Sequence, residues 1–180
     1  PEVVRKGFYI AATGRPGPVL IDIPKDVQTN EASMNFPEEF KIRGYHPWTD
    51  PNIAQIEKAI DMLLAAEKPI ILSGGGVTIS SAFAELQSIA ELLVIPVVTT
   101  FKGKGSFPEN HLLSLGPIGM HGHAEANKLM VEADCVLAIG TRFSDRSVGT
   151  FEDFEKRLKI IHMDVDPAEI GKNQTTSIAV

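Results

Sequence analysis

The chain has 180 residues, 43% hydrophobic and 22% charged, which is enough apolar material for a domain with a buried core. Its net charge of −6, with no lysine and arginine cluster, argues against a nucleic-acid partner. No apolar run reaches the roughly 18 residues of a membrane span, and the charged, amphipathic first residues do not read as a signal peptide.

The single cysteine, Cys135, lies inside an apolar run, so it reads as core packing rather than as a reactive thiol. The pattern places Pro1 inside a helix and Val180 at the start of a strand. It is therefore expected to be a piece of a longer protein.

In chain order, Val3, Val4, Phe8, Ile10 and Ala11 supply a helical stripe closed by Gly14. The rigid turn Gly14-Arg15-Pro16-Gly17-Pro18 leads into Val19–Ile23, a β-branched run that predicts a buried strand ended by Pro24. The stretch 28–48 has no period and is expected to be a linker, with a domain boundary nearby. Asp50 suits an N-cap and Pro51 a first helical position, ahead of an apolar stripe running from Ile53 to Leu64. Ile70-Ile71-Leu72 then predicts a short buried strand, followed by Ser73-Gly74-Gly75-Gly76. Glycines between a strand and a helix let a ligand reach main-chain amides, or simply make a flexible turn.

A helix from Ser80 or Ser81 carries Phe83, Leu86, Ile89, Ala90 and Leu93, and Val97–Thr100 forms the next strand. Behind it lies a glycine-rich loop whose Lys102 and Lys104 either face phosphates or stay solvated. The stretch 110–122 reads as loop, and 126–133 as a short helix. The unbroken apolar run Cys135–Ile139 has the pattern of a strand buried on both faces. Its trailing loop holds Gly140, Thr141, Arg142, Ser144, Asp145 and Arg146. Two arginines beside a glycine point to a phosphate-bearing ligand, or to a structural salt bridge in a solvated turn. A last strand from Lys159 ends in Asp164-Val165-Asp166, followed by Pro167 and a turn containing Glu169. Those acids suit ribose hydroxyls or, equally, caps.

From residue 50 onward helices and strands alternate. That order predicts an α/β fold: a Rossmann-like parallel sheet with helices on both faces. The residues before it read as a remnant of a second α/β domain. The ligand-type residues all follow strands, on one edge of the sheet, which favours a binding site.

These residues resemble a known family. Gly14–Val27 looks like the end of the pyrimidine-binding domain of thiamine-diphosphate enzymes. Gly119-Met120-His121-Gly122, Gly140–Arg146 and Asp164–Asn173 look like the central domain of the acetolactate synthase (acetohydroxyacid synthase) large catalytic subunits. The resemblance covers essentially the whole chain. It implies residues 1–27 as the end of the pyrimidine domain, 28–49 as linker and 50–180 as the central domain. It also implies FAD, without net redox work in the carboligation. Carried over by motif, the FAD contacts are Arg15, Gly74, Gly75, Thr100, Phe101, His121, Gly140, Thr141, Arg142, Asp145, Asp164, Val165 and Glu169. Arg146 matches an arginine facing the second 2-keto acid, and Lys25, Met120 and Asp145 match positions along the channel to the active site.

Two departures stand out: Ser144 where many members have Asp, and Phe101-Lys102 in place of Leu-Met or Leu-Gln. The glutamate that activates thiamine diphosphate is expected before Pro1, and the Gly-Asp-Gly motif for Mg2+ and diphosphate after Val180; no Gly-Asp-Gly occurs in this chain. The resemblance therefore implies a transferase making 2-acetolactate from pyruvate for isoleucine and valine synthesis, with this stretch inactive alone. Its expected partners are keto acids and further copies, as homodimer or homotetramer, and it allows a regulatory small subunit. The expected location is the cytoplasm, or an organelle if a transit peptide precedes Pro1. Glyoxylate carboligase, sulfoacetaldehyde acetyltransferase, a non-catalytic nucleotide-binding scaffold and a domain that has lost its ligand remain as alternatives.

Overall fold

The computed structural model describes residues 1–33, 35–36, 38–47, 50–144 and 158–180. The chain divides into two compact units, Pro1–Asp50 and Pro51–Val180.

In the first unit, helix α1 spans Glu2–Ala12 and buries only Gly7. Its expected apolar stripe does not form a covered face, since Val3 and Phe8 are exposed. Ile21 packs at Gly7 instead: a β-carbon there would stand 2.8 Å from Ile21 Cδ1. The expected strand over 19–23 does not form, and Leu20 is 92% exposed. A β-branched run needs a neighbouring ladder to become a strand, and no described residue of this unit supplies one. Short helix α2, Lys25–Thr29, follows. Tyr9 is flanked edge-on by Phe40 (5.4 Å) and Tyr45 (6.0 Å), and Tyr45 Oη donates to the Thr13 carbonyl.

The second unit opens with α3, Ile53–Leu64. Its cap is Asn52, whose side chain accepts from Gln55 N–H. The expected cap at Asp50, with Pro51 as first helical position, is therefore displaced by two residues: Asn caps as well as Asp, and Pro51 precedes the helix. The remaining order is β1 (Pro69–Ser73), α4 (Gly75–Ser80), α5 (Phe83–Leu93), β2 (Val97–Thr99), a 3-10 turn (Phe101–Gly103), β3 (Ser114–Pro117), α6 (Ala124–Glu132), β4 (Cys135–Ile139), β5 (Lys159–Met163) and β6 (Ile178–Ala179). The six strands form one parallel sheet in the order β3-β2-β1-β4-β5-β6.

Alternation along each strand builds two core layers. Ile70, Leu72, Val98, Val136, Ala138 and Ile160 pack against Ala126 and Met130 of α6. Ile71, Val97, Cys135, Leu137 and Ile161 pack against Ala59 and Leu63 of α3 and Leu86 and Ala90 of α5. Each fully buried aliphatic side chain contributes about 1.5–3 kcal/mol of transfer free energy. Strand β3 falls inside the stretch expected to be loop. It lies on the sheet edge, with a register shift against β2 and Gly116 at φ +82°.

Candidate functional site

The strand order reverses between β1 and β4, and in doubly wound sheets ligands bind outside the carboxyl ends at that point. Here the two turns that meet there are Gly74-Gly75-Gly76 and Gly140-Thr141-Arg142. They pack backbone against backbone. Gly74 N–H donates to the Ile139 carbonyl (2.8 Å) and Gly76 N–H to the Gly140 carbonyl (3.0 Å). A β-carbon on Gly74 would overlap the Gly140 carbonyl, and one on Gly76 would lie 2.6 Å from Gly140 Cα. The amides of Gly74 and Gly76 are thus committed to the fold. Gly75 is different: a β-carbon there would meet only the Lys102 side chain and backbone, at 3.1 Å and beyond.

The third turn comes from β2. Thr100 N–H donates to the Ser73 carbonyl (2.9 Å), and Thr100 Oγ1 accepts from Gly103 N–H (3.1 Å). Gly103 sits against the Ser73 carbonyl with no room for a side chain. Beneath it, the buried hydroxyls of Ser73 and Ser106 bond to each other at 2.6 Å. The next residue, Phe101, is 82% exposed, and Met120 after β3 is 81% exposed. His121 beside it is exposed too. Of the two lysines in the β2 loop, Lys104 pairs with Glu109.

After β4, Gly140 adopts φ +57° and Phe143 φ +48°, so the chain turns sharply on either side of Thr141 and Arg142. Thr141 is buried and Arg142 exposed. Asn173 Nδ2 donates to the Arg142 carbonyl (2.7 Å), and His162 of β5 bonds the Thr141 carbonyl through Nε2 (2.7 Å). His162 is a residue the sequence offered only as part of a strand; its burial is what marks it.

After β5, Asp164 Oδ1 accepts from Asp166 N–H (2.9 Å), and Asp166 Oδ1 from Ala168 N–H (3.0 Å). Asp166 thus caps the turn. Val165 is exposed, while Glu169 is buried and meets Lys172 Nζ at 3.3 Å.

The structure therefore brings Gly74, Gly75, Thr100, Phe101, Met120, His121, Gly140, Thr141, Arg142, Asp164, Val165 and Glu169 to the ends and following turns of five parallel strands, on one edge. Arg15 and Lys25 lie in the first unit, both exposed. Asp145 and Arg146 fall outside the described residues. At the opposite end of β4, Asp134 straps the α3–β1 connection. Its carboxylate accepts from Glu67 N–H (2.8 Å) and Lys68 N–H (2.9 Å). Burial works to raise its pKa, but these two amides, its own amide and the Lys159 charge together hold the group below the usual carboxylate value. Among the described residues no group of three or more His, Cys, Asp or Glu is arranged to hold a metal, and no helix is long and apolar enough to cross a membrane.

A sequence model of the thiamine pyrophosphate enzyme central domain matches residues 56–180. The chain belongs to that family. Its six-stranded parallel sheet agrees with the match. Over its whole length the chain is 50% identical to the probable acetolactate synthase large subunit of Methanococcus aeolicus. It is 44% identical to the acetolactate synthase large subunit of Corynebacterium glutamicum and 45% to the acetolactate synthase of Arthrospira platensis. It covers 31%, 29% and 32% of those proteins, respectively, and so spans about a third of their length.

Proposed function

We propose that this chain is the central part of a thiamine-diphosphate-dependent acetolactate synthase, and that the carboxyl edge of its sheet holds FAD. What supports the reading is the meeting of three tight turns, after β1, β2 and β4, where the strand order reverses. The residues present fit a flavin dinucleotide chemically. Gly75 offers backbone without a side chain, Arg142 a guanidinium for phosphate, and Asp164 a carboxylate for ribose. Phe101 and Met120 offer exposed apolar surface for a ring system to cover. The committed amides of Gly74 and Gly76 leave Gly75 as the glycine of that turn with a contact role.

In this reading the flavin is held without net redox work. The whole protein condenses two pyruvates to 2-acetolactate with release of carbon dioxide, using thiamine diphosphate and Mg2+ bound by other stretches of the longer chain. The residues of this stretch bind the dinucleotide, exclude water from its edge and, through Arg146, orient the carboxylate of the acceptor keto acid by a two-bonded guanidinium fork. Met120 is a channel residue of the central domain, and Lys25 is one of the preceding domain. Residues 1–27 close the preceding pyrimidine domain, and the working protein is a homodimer or homotetramer, with or without a regulatory subunit. The stretch alone is inactive.

The test is product formation from pyruvate by the whole protein supplied with thiamine diphosphate and Mg2+, with and without FAD. Acetolactate that depends on added FAD supports the reading. A folded protein that takes up thiamine diphosphate yet makes no acetolactate from pyruvate, alone or with 2-oxobutyrate, contradicts it.

A further inference from the structure

We infer that His162 is a positioning residue that, with Asn173, sets the backbone of the Gly140–Phe143 turn and thereby the base from which Arg142 reaches its ligand. The inference rests on the proposal that Arg142 contacts the dinucleotide.

His162 occupies the fourth position of β5, in register with Ala138 of β4, and is 1% exposed. Its strand neighbours on the same face, Ile160 and Ala138, belong to an aliphatic core layer. Valine or leucine would pack there with no polar cost. An imidazole instead carries two nitrogens that need partners. One has a partner: Nε2 lies 2.7 Å from the Thr141 carbonyl. A carbonyl only accepts, so the proton sits on Nε2 and Nδ1 is left as a bare acceptor. Among the described residues Nδ1 has no partner. A buried unpaired acceptor is costly, so this position favours a specific bond over packing.

What that bond secures is a strained segment. Phe143 holds φ +48°, a left-handed conformation that is strained in a non-glycine residue. Its buried ring stands edge-on to His162, centroids 5.1 Å apart and planes at 84°. His162 therefore grips the turn on both sides of Arg142, at the carbonyl of residue 141 and the ring of residue 143. Asn173 closes the gap by donating to the carbonyl of Arg142 itself, at 2.7 Å. Three successive residues are each held by a side chain from beyond β4. The Arg142 side chain has no acidic partner among the described residues. With its backbone fixed, only side-chain rotamers are left to order when an anion binds, which lowers the cost of binding.

The experiment compares the wild type with His162→Gln, which keeps a donor at the same reach, His162→Leu, which fills the space without one, and Asn173→Ala. Three readouts are taken: the ring tautomer by nitrogen-detected NMR, amide exchange over residues 141–144, and FAD affinity. The expected results are an Nε2–H tautomer, faster exchange in the Leu and Ala variants, and FAD affinity about tenfold weaker in both, the loss of one hydrogen bond. Gln is expected to restore affinity to within about threefold. A ring protonated on Nδ1, or Leu and Ala variants with unchanged exchange, overturns the inference. If the wild type does not bind FAD, the flavin proposal falls, and tautomer and exchange alone decide the role of His162. If the Leu variant does not fold, the wild-type tautomer and Asn173→Ala decide it.

Discussion

A β-carbon on Gly140 would stand 2.5 Å from the Cα of Gly76. The turn after β4 and the turn after β1 thus touch main chain to main chain, and both glycines are needed for the sheet to close at the point where its order reverses.

Gly140→Ala is therefore expected to destabilise the protein by about 2–4 kcal/mol, combining left-handed strain with overpacking against backbone. Gly75→Ala is the control. Its new methyl meets a flexible lysine side chain at 3.1 Å, and alanine favours the helix by up to about 1 kcal/mol, so the net change stays within about 1 kcal/mol. Urea unfolding of both variants measures the contrast. Equal losses at the two positions would contradict the backbone-packing account.

Asp134 ties the α3–β1 connection to β4 through two amides, and its pKa is lowered in the fold. A carboxyl with a lowered folded pKa stabilises above its unfolded value, about 3.9, and that contribution disappears as pH falls through the folded value. Asp134→Ala is expected to cost about 1–2 kcal/mol near neutral pH, at the low end for charge-assisted bonds because the carboxylate is partly exposed. The difference from wild type should shrink toward zero as pH falls below the unfolded value and through the lowered folded one. Denaturant midpoints across that range check both the size and the sign.

Cys135 is fully buried in β4. Burial, with a smaller contribution from the Asp134 charge, pushes its thiol from 9.0 up to about 11. An acid with a raised folded pKa stabilises below its unfolded value and loses that contribution as pH rises toward the folded one. Stability should thus decline between about pH 9 and 11 in the wild type and less steeply in Cys135→Ala. Thiol reagents should label the protein only when it unfolds.

Much of this architecture was legible in the sequence. The apolar runs of β1, β2, β4 and β5 are β-branched or unbroken, the mark of strands covered on both faces, and the stripe in α5 has clean helical spacing. The missed elements lack those marks. Strand β3 is Ser114-Leu115-Gly116-Pro117, with a glycine bulge and a proline that only an edge strand tolerates. Helix α4 starts in glycines that read as a turn. Val19–Ile23 has strand-like residues, but strand formation depends on a partner that local sequence does not specify. At the site, the positions of the ligand-type residues after strands were readable from their order. The commitment of Gly74 and Gly76 to packing against Gly140 was not, because it depends on a contact between residues more than sixty positions apart. The role of His162 was hidden for the same reason.

The most direct test of the central claim is calorimetric titration of FAD into the protein, with Arg142→Ala alongside. The account predicts saturable binding at one site per chain, weakened at least tenfold by the loss of a charge-assisted contact to phosphate. Binding of equal strength in the wild type and in Arg142→Ala, or none in a folded wild type, would contradict it.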